Sequence, residues 1–135
     1  MRNPFKHSKS LFSIFVIALL LTTLGFNNTY KEVRMSTLEG TWDIDLRPSP
    51  DAPPYIQPMV ITSTKQNKVK GTFYGSNIKQ GRINNKWGKI VFAFVTEDNS
   101  GVYHTSGQLE DGRLTGSTHS LGRDFLMPWR GTLSK

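Results

Sequence analysis

Three sets of side chains in this sequence have the chemistry to make a site. His104 and His119 are the only histidines after residue 30. An imidazole pair can hold a metal only if further ligands converge on it. Without cysteine in the chain, those ligands would have to be carboxylates. No His-x-x-x-His or His-Glu-x-x-His spacing occurs, so no metal site is expected. Asp43 and Asp45 stand two apart, which on a strand places both carboxylates on one face. Trp42 and Ile44 alternate with them and claim the buried face, so the acids are expected in solvent rather than in acid–base catalysis. A serine nucleophile needs an oriented base, and the chain has no Gly-x-Ser-x-Gly elbow. No glycine-rich phosphate loop joins a strand to a helix either. No catalytic residue is assigned, and the chain is not expected to be an enzyme or to carry a cofactor. The third set is aromatic: Phe73, Phe92, Phe94, Tyr103 and Trp129. Apolar rings with one polar handle, here Tyr103, suit a small and mainly apolar ligand. The same rings could instead be core filling.

Strands must bring those rings together. From Leu38 onward the apolar period is two, and turn signals recur at strand-length intervals. Trp42, Ile44 and Leu46 alternate with Asp43, Asp45 and Arg47. Pro48 to Pro54 holds four prolines and must be a loop, because proline lacks the N–H that a ladder needs. Further strands are predicted over 56–65, 68–74, 78–84, 89–96, 102–109, 113–120 and 125–133. Asp111-Gly112 is a hairpin signal, since both positions tolerate positive φ. Eight strands with short connections predict an all-β, antiparallel up-and-down barrel, whose closure removes exposed edges. Lys-Val-Lys-Gly-Thr (68–72), Arg-Leu-Thr-Gly-Ser (113–117) and Trp-Arg-Gly-Thr (129–132) form a weak repeat. Glycine in mid-strand marks sharp bends or close backbone approach.

The segment before the barrel differs in character. Residues 1–10 carry Arg2, Lys6 and Lys9 without an acid, and Leu11 to Leu24 is apolar. This is the pattern of an export signal helix, assigned to 1–25, and the run is shorter than a typical spanning helix. An uncleaved anchor and translation from Met35 are the alternatives. Residues 26–37 are polar and aperiodic and read as a flexible tether to a domain over 38–135. The expected location is therefore periplasmic, secreted or membrane-tethered, with contact to a membrane only if the segment is retained. The formal charge is +7, and setting aside Arg2, Lys6 and Lys9 leaves +4. Those remaining bases are scattered, and the aromatics fall into strand patterns, so no nucleic-acid partner is expected.

Gly40-Thr41-Trp42 opens the domain and Trp129-Arg130-Gly131-Thr132-Leu133 closes it. This resembles the calycins, the lipocalin and avidin group of barrels, and more closely the small lipocalin-like domains of exported bacterial proteins. The resemblance implies that Gly40 and Trp42 sit at a closed end, with Arg130 from the last strand packed over Trp42. It also implies that Pro48 to Pro54 lies at the open mouth. The chain lacks the C-terminal helix and disulfides of typical lipocalins and the biotin-binding polar set of avidins. Two functions follow from these readings. One is a binding protein that holds a small apolar ligand among Phe73, Phe92, Phe94, Tyr103 and Trp129. The other is a non-catalytic structural or protein-interaction module with a filled interior, its contact surface being the Pro48–Pro54 loop and neighbouring turns.

Overall fold

A computed structural model describes residues 30–135. The expected signal helix 1–25 and the first residues of the tether, 26–29, lie outside the described residues. The strands are β1 (Gly40–Asp45), β2 (Ile56–Ser63), β3 (Lys70–Phe73), β4 (Ser76–Asn77), β5 (Lys79–Asn84), β6 (Ile90–Asp98), β7 (Gly101–Glu110), β8 (Arg113–Ser120) and β9 (Phe125–Leu133). All pairings are antiparallel, in the order β4-β3-β2-β1-β9-β8-β7-β6-β5. The first and last strands pair, with Trp42 opposite Leu133 and Asp45 opposite Arg130.

The two edges, β4 and β5, are consecutive in the chain. A single segment thus serves both edges: β4 pairs with β3 and β5 with β6. Within β5 Gln80 adopts a φ of 54°, where the register against β6 shifts between Lys79 and Arg82. A bulge of this kind bends a strand and increases its twist. The N–H of Ile78 also donates to the Gly71 carbonyl at 2.9 Å, tying the segment back to β3. The expected fourth strand, 78–84, is β5, and the short β4 is an extra strand between the spans expected for the third and fourth, which gives nine strands where eight were expected, in a nearly closed meander barrel.

Alternation decides what lies inside. Trp42, Ile44, Met59, Ile61, Phe73, Ile83, Ile90, Phe92, Phe94, Leu109, Leu114 and Trp129 are buried. The Pro48–Pro54 loop and the turns at 74–75, 99–100 and 121–124 share one end, called here the loop end. The turns at 64–69, 85–89 and 111–112 share the other with the entering chain.

That entering chain corrects the tether expectation. Val33 and Met35 pack against the core, and Leu38 is fully buried. Asn85 Nδ2 donates to Glu32 Oε1 at 3.0 Å and to the Val33 carbonyl at 2.7 Å. Trp42 Nε1 donates to the Leu38 carbonyl at 2.9 Å across the short 3-10 turn Met35–Leu38. The segment plugs a barrel end that would otherwise leave core side chains wet. Its apolar residues follow no strand period, so alternation does not reveal them. Deleting the chain through Leu38 is expected to lower the thermal midpoint by more than about 5 °C, roughly 1 kcal/mol for a domain this size. An unchanged midpoint in a calorimetric scan would show that the plug is dispensable.

The same end carries an acid lock. The Thr64 hydroxyl and backbone N–H both donate to Glu39 Oε1, at 2.8 and 2.9 Å. The hydroxyl first, then the N–H, holds the Glu39 carboxyl below its ordinary 4.5. A depressed folded-state pKa contributes stability above the unfolded value that is lost as pH falls through the folded one. The stability difference between wild type and Glu39→Gln, measured by denaturant melts, is thus expected to shrink as pH drops below 4.5. A difference that grows in acid would contradict the assignment.

Candidate functional site

Phe92 and Phe94 alternate inward on β6 and stack with centroids 6.1 Å apart and planes 7° from parallel. Phe73, from β3 across the barrel, meets Phe94 edge-on at 5.9 Å and Trp129 at 6.2 Å. Four of the five expected lining residues therefore form one cluster. Trp129 anchors it: Nε1 donates to Thr118 Oγ1 at 3.1 Å, and Thr118 shares a hydrogen bond with Thr105 Oγ1 at 2.9 Å. Both threonines are buried, so each polar atom is satisfied within the core. Glycines make room for the indole. A Cβ on Gly116 would stand 2.4 Å from the Trp129 ring, and one on Gly107 would stand 2.7 Å from Phe92 and 2.8 Å from Trp129. Nothing larger than glycine fits beside these rings, so the centre of the barrel is tightly packed.

Tyr103 lies apart from that cluster. It is paired with Thr96 on β6 and so has the inward parity expected of it. It sits half-buried near the loop end, edge-on to Phe125 at 6.1 Å, and its hydroxyl accepts from the Arg123 guanidinium. Tyr103 thus lies at the rim and not on the wall of the cluster.

The closure residues divide. Gly40 takes a φ of 135° against Leu133, and Trp42 is buried at the end opposite the Pro48–Pro54 loop. Arg130 does not pack over Trp42. Its register partner is Asp45, and Trp42 is paired with Leu133, so the two residues project from opposite faces. Arg130 is exposed on the outside, and the Leu38 carbonyl supplies the bond that the indole makes. Arg130→Ala is consequently expected to change stability by no more than about 0.5 kcal/mol, as surface substitutions do. A loss above about 2 kcal/mol in urea melts would restore the arginine to a structural role.

The outside holds what the motif reading missed. His104 and His119 face each other on β7 and β8, their rings stacked at 5.3 Å. They border a shallow concavity of about 230 Å³ with Gln80, Arg82 and Ser106. Among the described residues no group of three metal-ligating side chains gathers, there or elsewhere. Near the opposite end, a groove of about 550 Å³ runs between Tyr30, Asn84, Trp87, Lys89, Val91 and Glu110. Trp87 is 63 % exposed, with its ring 5.9 Å from that of Tyr30. The signal for it was present in the sequence: a tryptophan inside the turn Asn85-Lys86-Trp87-Gly88 has no strand to bury it.

The base of the Pro48–Pro54 loop is fastened by Asp45. Its carboxylate accepts from the Arg47 N–H at 3.1 Å, from Arg47 Nε at 2.7 Å and from the Tyr55 N–H at 3.4 Å. The Arg47 side chain, first among these donors, holds the Asp45 carboxyl below its ordinary 3.8. Tyr55 and Tyr74 join their hydroxyls beside the loop. Large apolar surface is exposed around this end: Leu121 is 86 % and Leu126 72 % exposed, with Val102, Tyr55, Ile56 and Tyr74 also open to solvent. No known family, curated protein or solved structure matches the chain.

Proposed function

We propose that the chain is an exported, lipocalin-like, non-catalytic interaction module that meets its partner with the outside of the barrel at the loop end. The observation that carries this reading is the packed centre, where Phe73, Phe92, Phe94 and Trp129 touch one another and glycines are required beside them. A barrel of this width holds either its own side chains or one small ligand. Side chains in contact favour the first, and displacing them would forfeit close packing. The exposed leucines Leu121 and Leu126, beside a loop clamped at its base, supply the apolar surface that an interaction site needs.

A naphthalene-sulfonate probe separates this from the enclosed-ligand reading. Any saturable signal is expected to disappear in Leu121→Ser with Leu126→Ser and to survive Phe94→Ala. Both leucines are exposed, so the double variant leaves the core intact. A signal lost in Phe94→Ala but retained in the surface variant would overturn the proposal in favour of a ligand held inside.

A further inference from the structure

The two ends of the barrel differ in charge as well as shape. At the loop end Asp45, Asp51, Glu97, Asp98 and Asp124 outnumber Arg47, Lys79 and Arg123. At the plugged end the balance reverses. The turn around Gln66 carries Lys65 and Lys68, and the turn around Trp87 carries Lys86 and Lys89. Lys31 and Arg34 on the plug add to them, and Arg113 follows the hairpin between β7 and β8. Of the acids at this end, Glu32 is engaged by Asn85 and Glu39 by Thr64, and Glu110 and Asp111 in the β7–β8 hairpin are outnumbered by these seven bases.

Among these bases stand two solvent-exposed aromatics in contact, Trp87 and Tyr30. Indole and phenol rings with flanking lysines make up the residue set that settles at a membrane–water interface, rings at headgroup depth and ammonium groups on phosphates. The place of the chain entry adds a third observation. The apolar run Leu11 to Leu24 ends six residues before Tyr30, and Tyr30 packs on Trp87. The chain therefore joins the barrel at the end where the aromatics and the bases are gathered.

We infer that the plugged end docks on an anionic lipid bilayer, with Trp87 and Tyr30 in the interfacial layer and Lys86 and Lys89 on lipid phosphates. The loop end, acidic and apolar, then faces away from the membrane. Attraction of juxtamembrane bases to anionic lipid is additive and salt-sensitive. Docking of this kind requires acidic lipid and weakens as ionic strength rises.

Trp87 is its own reporter, because Trp42 and Trp129 are only 2 % and 5 % exposed. The full chain is reconstituted into vesicles of phosphatidylcholine with phosphatidylserine, or of phosphatidylcholine alone, each containing lipid brominated near the headgroup end of its acyl chains. Quenching is read as the difference between wild type and Trp87→Phe, so insertion of the apolar run does not contribute. The expected result is at least twofold quenching of Trp87 on the anionic vesicles. That quenching should be largely lost in Lys86→Glu with Lys89→Glu, at high salt and on phosphatidylcholine alone. Near-ultraviolet dichroism checks that the double variant keeps its fold, and the salt titration of wild type tests the same charges without any substitution. Three results would each overturn the inference: Trp87 unquenched on anionic vesicles; quenching indifferent to both salt and charge reversal; or a Trp87 response to oligothymidylate with none to vesicles, which would assign the basic end to nucleic acid. None of these outcomes bears on the packed interior, which the probe titration tests separately.

Discussion

Trp129→Ala is expected to destabilise the barrel by about 3–5 kcal/mol, the range for large aromatic truncations in a core. Two costs combine. The ring lies between Phe73 on one side and the glycines at 107 and 116 on the other, so its removal leaves a space that no neighbour can enter. The indole N–H is also one of the partners of Thr118, which stays buried with Thr105 when the ring is gone. Trp129→Phe divides the costs: it restores most of the volume and leaves the hydroxyl pair short of a donor. Its loss should be the smaller one, near the 1–3 kcal/mol of an unmade buried hydrogen bond. Urea melts of both variants measure the difference. If Trp129→Ala costs less than about 1 kcal/mol, the centre of the barrel is not close-packed around this ring, and room for a ligand returns.

Much of this fold was legible because strand period and turn chemistry agree. β8 and β9 lie over the spans that alternation assigned, and Asp111-Gly112 turns with φ of 50° and 73° as the hairpin signal requires. That hairpin also implies the histidine pair. With Glu110 opposite Arg113, counting back along both strands brings His104 opposite His119. The extra strand β4, just before the expected fourth strand, was not legible. It depends on one segment reaching two different neighbours, which is a property of closure and not of local alternation. The plug was not legible for a similar reason. Val33, Met35 and Leu38 follow no single period; Leu38 is buried and the other two partly so because a barrel end needs covering. Arg130 shows the limit of motif reading: it alternates with Trp129, so once Trp129 points inward the neighbouring arginine must point out. Trp87 shows the converse, a residue whose very exposure marks it, in a turn where alternation has nothing to say.

Gly81→Ala is expected to open the barrel along its seam, and Gly71→Ala to damage the sheet beside it. At Gly81 a Cβ would lie 2.1 Å from the Val69 carbonyl oxygen, and at Gly71 one would lie 1.8 Å from that of Val60. Both obstacles are backbone, so no side-chain rotation relieves them. Gly71 also holds a φ of 148°, which a side chain rarely adopts. The two sites differ in what must yield. Gly71 lies opposite Ile61 in the β2–β3 ladder, and a shift there disturbs pairing on the interior side of the sheet. Gly81 lies on β5 and touches the chain just before β3, so a shift there can be met by moving the edge outward. Overpacking costs typically run to about 1–3 kcal/mol, sometimes more, and Gly71→Ala should exceed Gly81→Ala because strain and clash coincide. Gly81→Ala should instead leave most of the ladder intact and loosen the edges it no longer holds together. Hydrogen exchange distinguishes the cases: protection should fall selectively over 69–84 in Gly81→Ala and across β2 and β3 in Gly71→Ala. Equal and global loss in both variants would mean that the seam and the ladder unfold as one unit, and that closure through the β4–β5 segment is not a separable element of the fold.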